Sequence, residues 1–526
     1  MTATQLQNHF PQKKLADLLP GYDLGAAASI TPNNLCLDSR QVGQGDAFVA
    51  LVGTQTDGRQ FISRAVEAGA AAILVEADKV WQGINWIGSV PVIAVDALLQ
   101  HMSALAGRFY DEPSQELRLL GITGTNGKTT CSLLLGQLLA RLLGTSAVVG
   151  TLGYGIVDAK SLTPIEQQIG LLHSTGLTTP DPISLQRILR ELRNIGAQSA
   201  AIEVSSHSLQ QKRVAGLHFD TAIFTNLTQD HLDYHGDLIS YGKAKAELLF
   251  MPGLKHAIFN WDDLWSRALV DKTPSGVTRI AYSLREVADV YLQNIQLNSK
   301  GASAHLVTPW GEGELQSPLI GLFNLSNLLA VISGLCAQGV GLAQVLEQVP
   351  QLVAAPGRMQ PVVVDAQEQE IHVVVDYAHT PDALENTLKA ITEHKTGRIW
   401  TVFGCGGDRD KSKRPLMGRI AEKLSDYVIV TNDNPRSEEP ASIAADIVRG
   451  LNNPNGCLVI ADRAQAIDFA VQQAKAGDLV LIAGKGHEDY QIFAGQTLPF
   501  SDSQQARLAL QRRIAKRDLQ REGAQS

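Results

Sequence analysis

The chain has 526 residues, 44% of them hydrophobic and 19% charged, which is material for roughly three globular domains. Its net charge of −8 argues against nucleic acid as the main partner, and no apolar run is long enough for a membrane span. Five scattered cysteines without a C-x-x-C pair argue against disulfides and thiolate metal sites, and the N-terminus lacks an export-type apolar stretch, so a cytoplasmic protein is expected.

Residues 1–113 form a first expected domain, with short strands at 46–52, 71–75 and 91–95 and an Ala-rich helix near 62–68. Its polar segments are LDSR (37–40), where Asp38-Ser39-Arg40 reads as a turn, and TQTDGRQF (54–61). The second expected domain, 114–354, opens with an apolar strand (117–122), the loop GTNGKTT (124–130) and an amphipathic helix from Thr129. Small residues at a helix N-terminus let backbone N–H groups converge on phosphate oxygens, with Lys128 at the β/γ-phosphates and the Thr129 hydroxyl on Mg²⁺. The strict pattern wants glycine where this chain has Ile122, so the loop is a variant form.

Strands are expected next at 146–151, 200–204, 221–224 and 256–260, followed by hairpin-like alternation at 290–297, 304–307 and 313–316. Glu203 ends one strand in EVSSH (203–207), where a second Mg²⁺ ligand is wanted. His231 lies in DHLDYH (230–235), and Lys243 and Lys245 lie in YGKAK (241–245), which composition alone reads as a solvated helix face. After a linker-like VAAPGRM (353–359), the third expected domain, 355–526, alternates helices with strands at 371–375, 400–403, 427–431, 458–461 and 479–483. That alternation predicts a parallel sheet with ligands at its carboxyl edge. There stand DYAH (376–379), GCGGDR (404–409), DNPR (433–436) and GKGHE (484–488). The charged run 408–415 reads equally well as a solvated loop for Lys411, Lys413 and Arg414.

GTNGKTT, EVSSH, DHLDYH and YGKAK, in that order, resemble the Mur ligases of peptidoglycan synthesis. The resemblance implies an α/β fold of three domains: one for a uridine nucleotide, a central P-loop ATPase domain and a Rossmann-like C-terminal domain. It implies catalytic roles for Lys128, Glu203, His231 and Lys245, with Lys245 carbamylated to N6-carboxylysine and Thr129, Glu203, His231 and Lys245 around Mg²⁺. ATP would meet Gly124, Thr125, Asn126, Gly127, Lys128, Thr129, Thr130 and Asn324, the last in GLFNLSN (321–327), where a helix N-cap is the plainer reading. The UDP-linked substrate would meet Leu37, Ser39, Thr54, Gln55, Thr56, Thr178, Thr179, Ser205, Gln211 and Arg213; Leu177 replaces an Asn common in relatives.

DNPR matches the family members that select meso-diaminopimelate, which implies Arg409, Asp433, Asn434, Pro435, Arg436, Gly484 and Glu488 around that amino acid. A guanidinium grips its distal carboxylate bidentately, whereas lysine offers no carboxylate there. The implied reaction joins diaminopimelate to UDP-N-acetylmuramoyl-L-alanyl-D-glutamate through an acyl phosphate, within cell wall biogenesis, cell shape and cell division. Expected partners are these small molecules and ATP, with no nucleic acid, no membrane insertion and a monomeric chain. A sibling ligase such as folylpolyglutamate synthetase, a small-molecule kinase and a non-catalytic nucleotide-gated binder are the rival readings.

Overall fold

The computed structural model describes residues 12–53, 56–298, 301–365, 369–394 and 396–525. Thr54 and Gln55, expected at the uridine nucleotide, lie outside the described residues. The chain divides into two compact units, Met1–Val290 with Ala330–Val340, and Tyr291–Leu329 with Gly341–Ser526. No helix among the described residues is long and apolar enough to cross a membrane.

The first unit begins with strands β1 (Leu35–Cys36), β2 (Ala47–Ala50), β3 (Ala72–Glu76), β4 (Ile84–Ile87) and β5 (Val90–Val95), in the order β1-β2-β3-β5-β4. Only β4 runs antiparallel. Every residue of β2 and β5 is buried, as strands covered on both faces require. The helix Leu98–Phe109 buries Leu98, Met102, Leu105 and Phe109 at helical spacing.

The same unit continues with β6 (Arg118–Thr123), β7 (Ser146–Gly150), β8 (Gly153–Val157), β9 (Ser199–Glu203), β10 (Thr221–Phe224), β11 (His256–Asn260) and β12 (Thr278–Ser283). They lie in the order β12-β11-β10-β6-β9-β7-β8, and β8 alone is antiparallel. The register pairs Ile122 with Glu203 and Thr123 with Phe224. Three carboxyl ends therefore meet beside one loop. The helix Lys128–Leu142 corrects the amphipathic expectation: residues 129–140 are all buried. A helix packed on all sides needs no polar face.

The second unit opens, from Tyr291, with β13 (Val290–Asn298), β14 (Gly301–Thr308) and β15 (Gly311–Ser317), an antiparallel meander. A sheet then follows from β16 (Gln360–Pro361), β17 (His372–Asp376), β18 (Ile399–Phe403), β19 (Tyr427–Val430), β20 (Cys457–Val459) and β21 (Leu479–Ala483), with a separate hairpin β22 (Tyr490–Phe493) and β23 (Gln496–Pro499). The sheet order is β16-β17-β21-β18-β19-β20, parallel except at β16. Val374, Phe403, Val430 and Leu481 enter one core, and Val375, Val402, Ile429 and Ile482 the other, the period-two division of a sheet buried on both faces. The linker-like stretch is less loose than its composition suggests. Ala355 and Met359 are buried, and Met359 N donates to Asp376.

Candidate active site

The loop after β6 is shaped by the loop after β10. Gly124 has φ 151°, and a Cβ there would collide with the Thr225 hydroxyl. Thr125 N donates to Asn226 O at 2.8 Å, Asn126 N to Asn226 Oδ1 at 2.9 Å, and Thr225 Oγ1 to Asn126 O at 2.6 Å. Ile122 lies within β6 and is fully buried. The strand therefore runs where the strict motif would already have turned. Lys128 Nζ donates to the Gly124 and Thr125 carbonyls, each at 2.9 Å.

Glu203 is buried beneath this loop at 1% exposure. Its Oε2 accepts from Thr129 Oγ1 and Thr151 Oγ1, both at 3.0 Å, and its Oε1 accepts from Thr151 N at 3.0 Å. A hydroxyl and a carboxylate at a helix N-terminus are hard oxygen donors, and the set fits Mg²⁺. Thr178 lies 3.1 Å from the Thr151 hydroxyl, while Thr179 donates to Glu203 O at 2.7 Å and accepts from Ser205 N at 3.1 Å. Arg213 donates to Thr179 O at 2.7 Å and, through two nitrogens, to Gln211 Oε1. Thr178, Thr179, Ser205, Gln211 and Arg213 are thus one connected patch next to the phosphate loop. Leu177 is exposed at 47%.

Lys245 overturns the solvated-face reading, which fits exposed Lys243 alone. Its side chain is buried, donates to Gly124 O at 2.7 Å and lies 4.4 Å from the Tyr241 ring. Burial, then the neighbouring Lys128 charge, holds its amine well below the ordinary lysine value. Tyr241 also faces His231, with rings 6.1 Å apart, and His231 packs on His207 at 5.0 Å. A bare ammonium would repel a cation, so Lys245 suits a metal only as a carbamate.

In the first domain, Ser39 is buried just beyond β1, and Leu37 is half-buried. The turn reading holds for its neighbours: the Arg40 guanidinium, then the Arg40 backbone N–H, holds the Asp38 carboxyl down at about 2. Thr56 is exposed.

In the second unit, the loops after β18, β19 and β21 converge. Gly484, at φ 116°, lets Asp433 approach to where a Cβ would lie 2.7 Å from Oδ2. Asn434 is buried; its Nδ2 donates to Glu488 Oε2 at 2.9 Å, and its Oδ1 accepts from Ile492 N at 3.0 Å. Arg436 has φ 55° and is stitched to the β22 hairpin through its backbone. Its Nη1 donates to Gly407 O at 2.9 Å and, more weakly, to Asn434 O. The Nε and Nη2 edge has no hydrogen-bond partner among the described residues. Arg409 is exposed on the same loop system, with one bond to Asp408 O. Asn324 is the third residue of the helix Leu322–Ala337, not its N-cap. It is buried, donating to Ile320 O and accepting from Asn327.

Three family models match in succession: "Mur ligase family, catalytic domain" over residues 32–110, "Mur ligase middle domain" over 122–334 and "Mur ligase, glutamate ligase domain" over 357–486. The UDP-N-acetylmuramoyl-L-alanyl-D-glutamate–2,6-diaminopimelate ligase of Coxiella burnetii is 46% identical over 503 residues, 95% of this chain and 99% of that protein. The chain belongs to the Mur ligase family. A solved structure of a ligase with that same name superposes at TM-score 0.73 and 36% identity, over 95% of this chain and 99% of the other. The MurF ligase of Thermotoga maritima in complex with ADP, at 20% identity, shares the fold with TM-score 0.58, over 92% of this chain and 98% of that one. The architecture is the three-domain α/β architecture of Mur ligases.

Sequence reasoning misses four residues of this Mur ligase. Thr151 follows β7 in an unremarkable Gly-Thr pair yet bonds Glu203 twice. Lys485 is fully buried against Glu488 and Asn434. Arg414, half-assigned to a solvated loop, is fully buried on Glu438 and Asp446, whereas Lys411 stays exposed and Lys413 reaches His379 O. Arg463 is buried with Asp502 and donates to Ala483 O and Asn432 O at the roots of two site loops. The signal for Arg463 is a charged residue at the head of its helix in register with the apolar stripe Ala466, Ile467, Ala470 and Val471; for Thr151 there is none.

Proposed function

We propose that the protein joins meso-2,6-diaminopimelate to UDP-N-acetylmuramoyl-L-alanyl-D-glutamate with ATP, giving the tripeptide, ADP and phosphate, the MurE reaction of peptidoglycan precursor synthesis. The open Nε–Nη2 edge of Arg436, whose Nη1 is held by Gly407 O, carries the choice of amine. Such an edge matches a carboxylate, which diaminopimelate has at its far end and lysine lacks. The names of the relatives support the same acceptor and amine.

ATP phosphorylates the D-glutamate γ-carboxylate, because a carboxylate is a poor electrophile. The diaminopimelate amine then attacks the acyl carbon, and the C–O bond to phosphate breaks as the nitrogen gives up a proton, leaving the amide and inorganic phosphate. Lys128 exchanges its loop carbonyls for phosphate oxygens, and the helix N-terminus at residues 127–130 receives the phosphates. Thr129 and Glu203 would hold Mg²⁺, whose charge would offset that of the transferring phosphoryl group. Lys245 attacks CO₂ as a free amine: the new N–C bond forms, one proton departs, and the resulting carbamate would offer a metal an oxygen ligand, with His231 as a second donor. Thr178, Thr179, Ser205, Gln211 and Arg213 orient the muramoyl peptide, Leu37, Ser39 and Thr54–Thr56 the uridine nucleotide, and Asn324 the adenine. We assign residues 1–113, 114–354 and 355–526 to the nucleotide-substrate, ATP and amino-acid domains of a cytoplasmic monomer.

The test is phosphate release with ATP, Mg²⁺ and the UDP-muramoyl dipeptide, comparing diaminopimelate with lysine. Release that requires diaminopimelate is expected; equal rates with lysine would remove the assignment. Carbamylation is read separately, as a ¹³C signal from labelled CO₂ that disappears in Lys245→Met.

A further inference from the structure

We infer that Lys485 is a positioning residue that locks Glu488 and Asn434 into one rigid acceptor for the distal ammonium of the incoming amino acid. The inference rests on the proposed reaction and deepens its amino-acid site. Lys485 is fully buried, two residues beyond β21, and its ammonium donates to Glu488 Oε2 at 2.8 Å and to Asn434 Oδ1 at 3.2 Å. It lies 5.3 Å from the centroid of the Tyr490 ring, a face that favours a cation. Glu488 Oε2 thus takes two internal donors, from Lys485 and from Asn434 Nδ2.

Glu488 Oε1 takes none among the described residues and is the oxygen left for a ligand. Asn434 Oδ1 is likewise filled, by Lys485 and Ile492 N. Asn434 therefore acts on the substrate through Glu488 rather than through its own carbonyl. A carboxylate on a side chain with three rotatable bonds loses entropy when it grips a ligand, and prior immobilisation removes that loss. The internal cation lowers the cost of keeping the Glu488 charge half-buried before the ligand's cation arrives.

The experiment uses the full-length enzyme with ATP, Mg²⁺ and the UDP-muramoyl dipeptide, and compares wild type, Lys485→Met, Lys485→Gln, Glu488→Gln and the Lys485→Met/Glu488→Gln pair. In Lys485→Met the KM for diaminopimelate should rise about tenfold or more, while those for ATP and the dipeptide stay within about twofold. Preference for diaminopimelate over 2-aminopimelate, which lacks the distal amine, should collapse together with it. In the Glu488→Gln background, Lys485→Met should add nothing further, since its effect passes through Glu488. An unchanged KM for diaminopimelate, a uniform rise in all three KM values, or a full penalty retained in the Glu488→Gln background would overturn the inference. Should Lys485→Met not fold, Lys485→Gln removes the charge and keeps a donor, and the same comparisons decide. Absence of diaminopimelate-dependent phosphate release in wild type would instead strike the proposed reaction itself.

Discussion

Glu203→Gln separates charge from shape at the heart of the proposed nucleotide site. Oε1 of Glu203 faces Thr151 N, which can only donate, whereas Oε2 faces two hydroxyls, of Thr129 and Thr151, which can rotate to accept. A glutamine therefore seats its oxygen on Thr151 N and its amide NH₂ toward the hydroxyls, with no buried group left unpaired. Stability should change by about 1 kcal/mol or less. On the proposed role of Glu203 as a Mg²⁺ ligand, loss of its charge should lower kcat about 100-fold to 1,000-fold, or about 2.7–4 kcal/mol. Glu203→Ala has the same chemical deficit and also removes the acceptor of Thr151 N, so it should be less stable than Glu203→Gln. Phosphate release across a Mg²⁺ titration, beside urea unfolding of each variant, measures both terms. A folded Glu203→Gln enzyme that turns over within about fivefold of wild type at saturating Mg²⁺ would refute the metal role. Unfolding of that variant would refute the hydrogen-bond argument.

Arg436→Ala should reduce the kcat/KM preference for diaminopimelate over lysine about a hundredfold; Arg436→Lys should recover little, because an ammonium lacks the fork. Undiminished selectivity in Arg436→Ala would remove Arg436 from the site. Arg463→Met leaves Asp502 buried without its two 2.7 Å bonds and should destabilise the second unit by about 3–5 kcal/mol, read as an early loss of structure in urea. His256 is held below the ordinary histidine pKa by burial and then by Lys255, and its Nδ1 has no partner among the described residues. With the folded value depressed, its stabilising contribution is complete above the ordinary value and is lost as pH falls through the depressed one. His256→Gln should therefore lose less thermal stability than wild type between about pH 7.5 and 5, the range bracketing a histidine's titration; parallel losses would contradict the shift.

Most parallel strands of both large sheets are legible as apolar runs, with Thr221–Phe224, His256–Asn260 and Leu479–Ala483 found at the bounds the pattern gives; β12, parallel to β11 but with its first two residues exposed, is not. The edges are not. β4, with three exposed residues, and the Gly-rich β8 lack the apolar signal because neither is enclosed on both faces. The two-residue β1 is too short for periodicity to register.

Sequence by itself determined what depends on neighbours in the chain: the phosphate loop, whose glycines set backbone shape within a few residues, and the alternation of strands with helices. Tertiary structure alone decided which side chains those elements bring together. Glu203 meets Thr151 because β6, β7 and β9 lie side by side, and Lys485 meets Asn434 because the loops after β19 and β21 open at one edge of the sheet. It also decided that Lys245 is buried and Lys243 is not, since burial and proton affinity are set by residues distant in sequence that pack around a group.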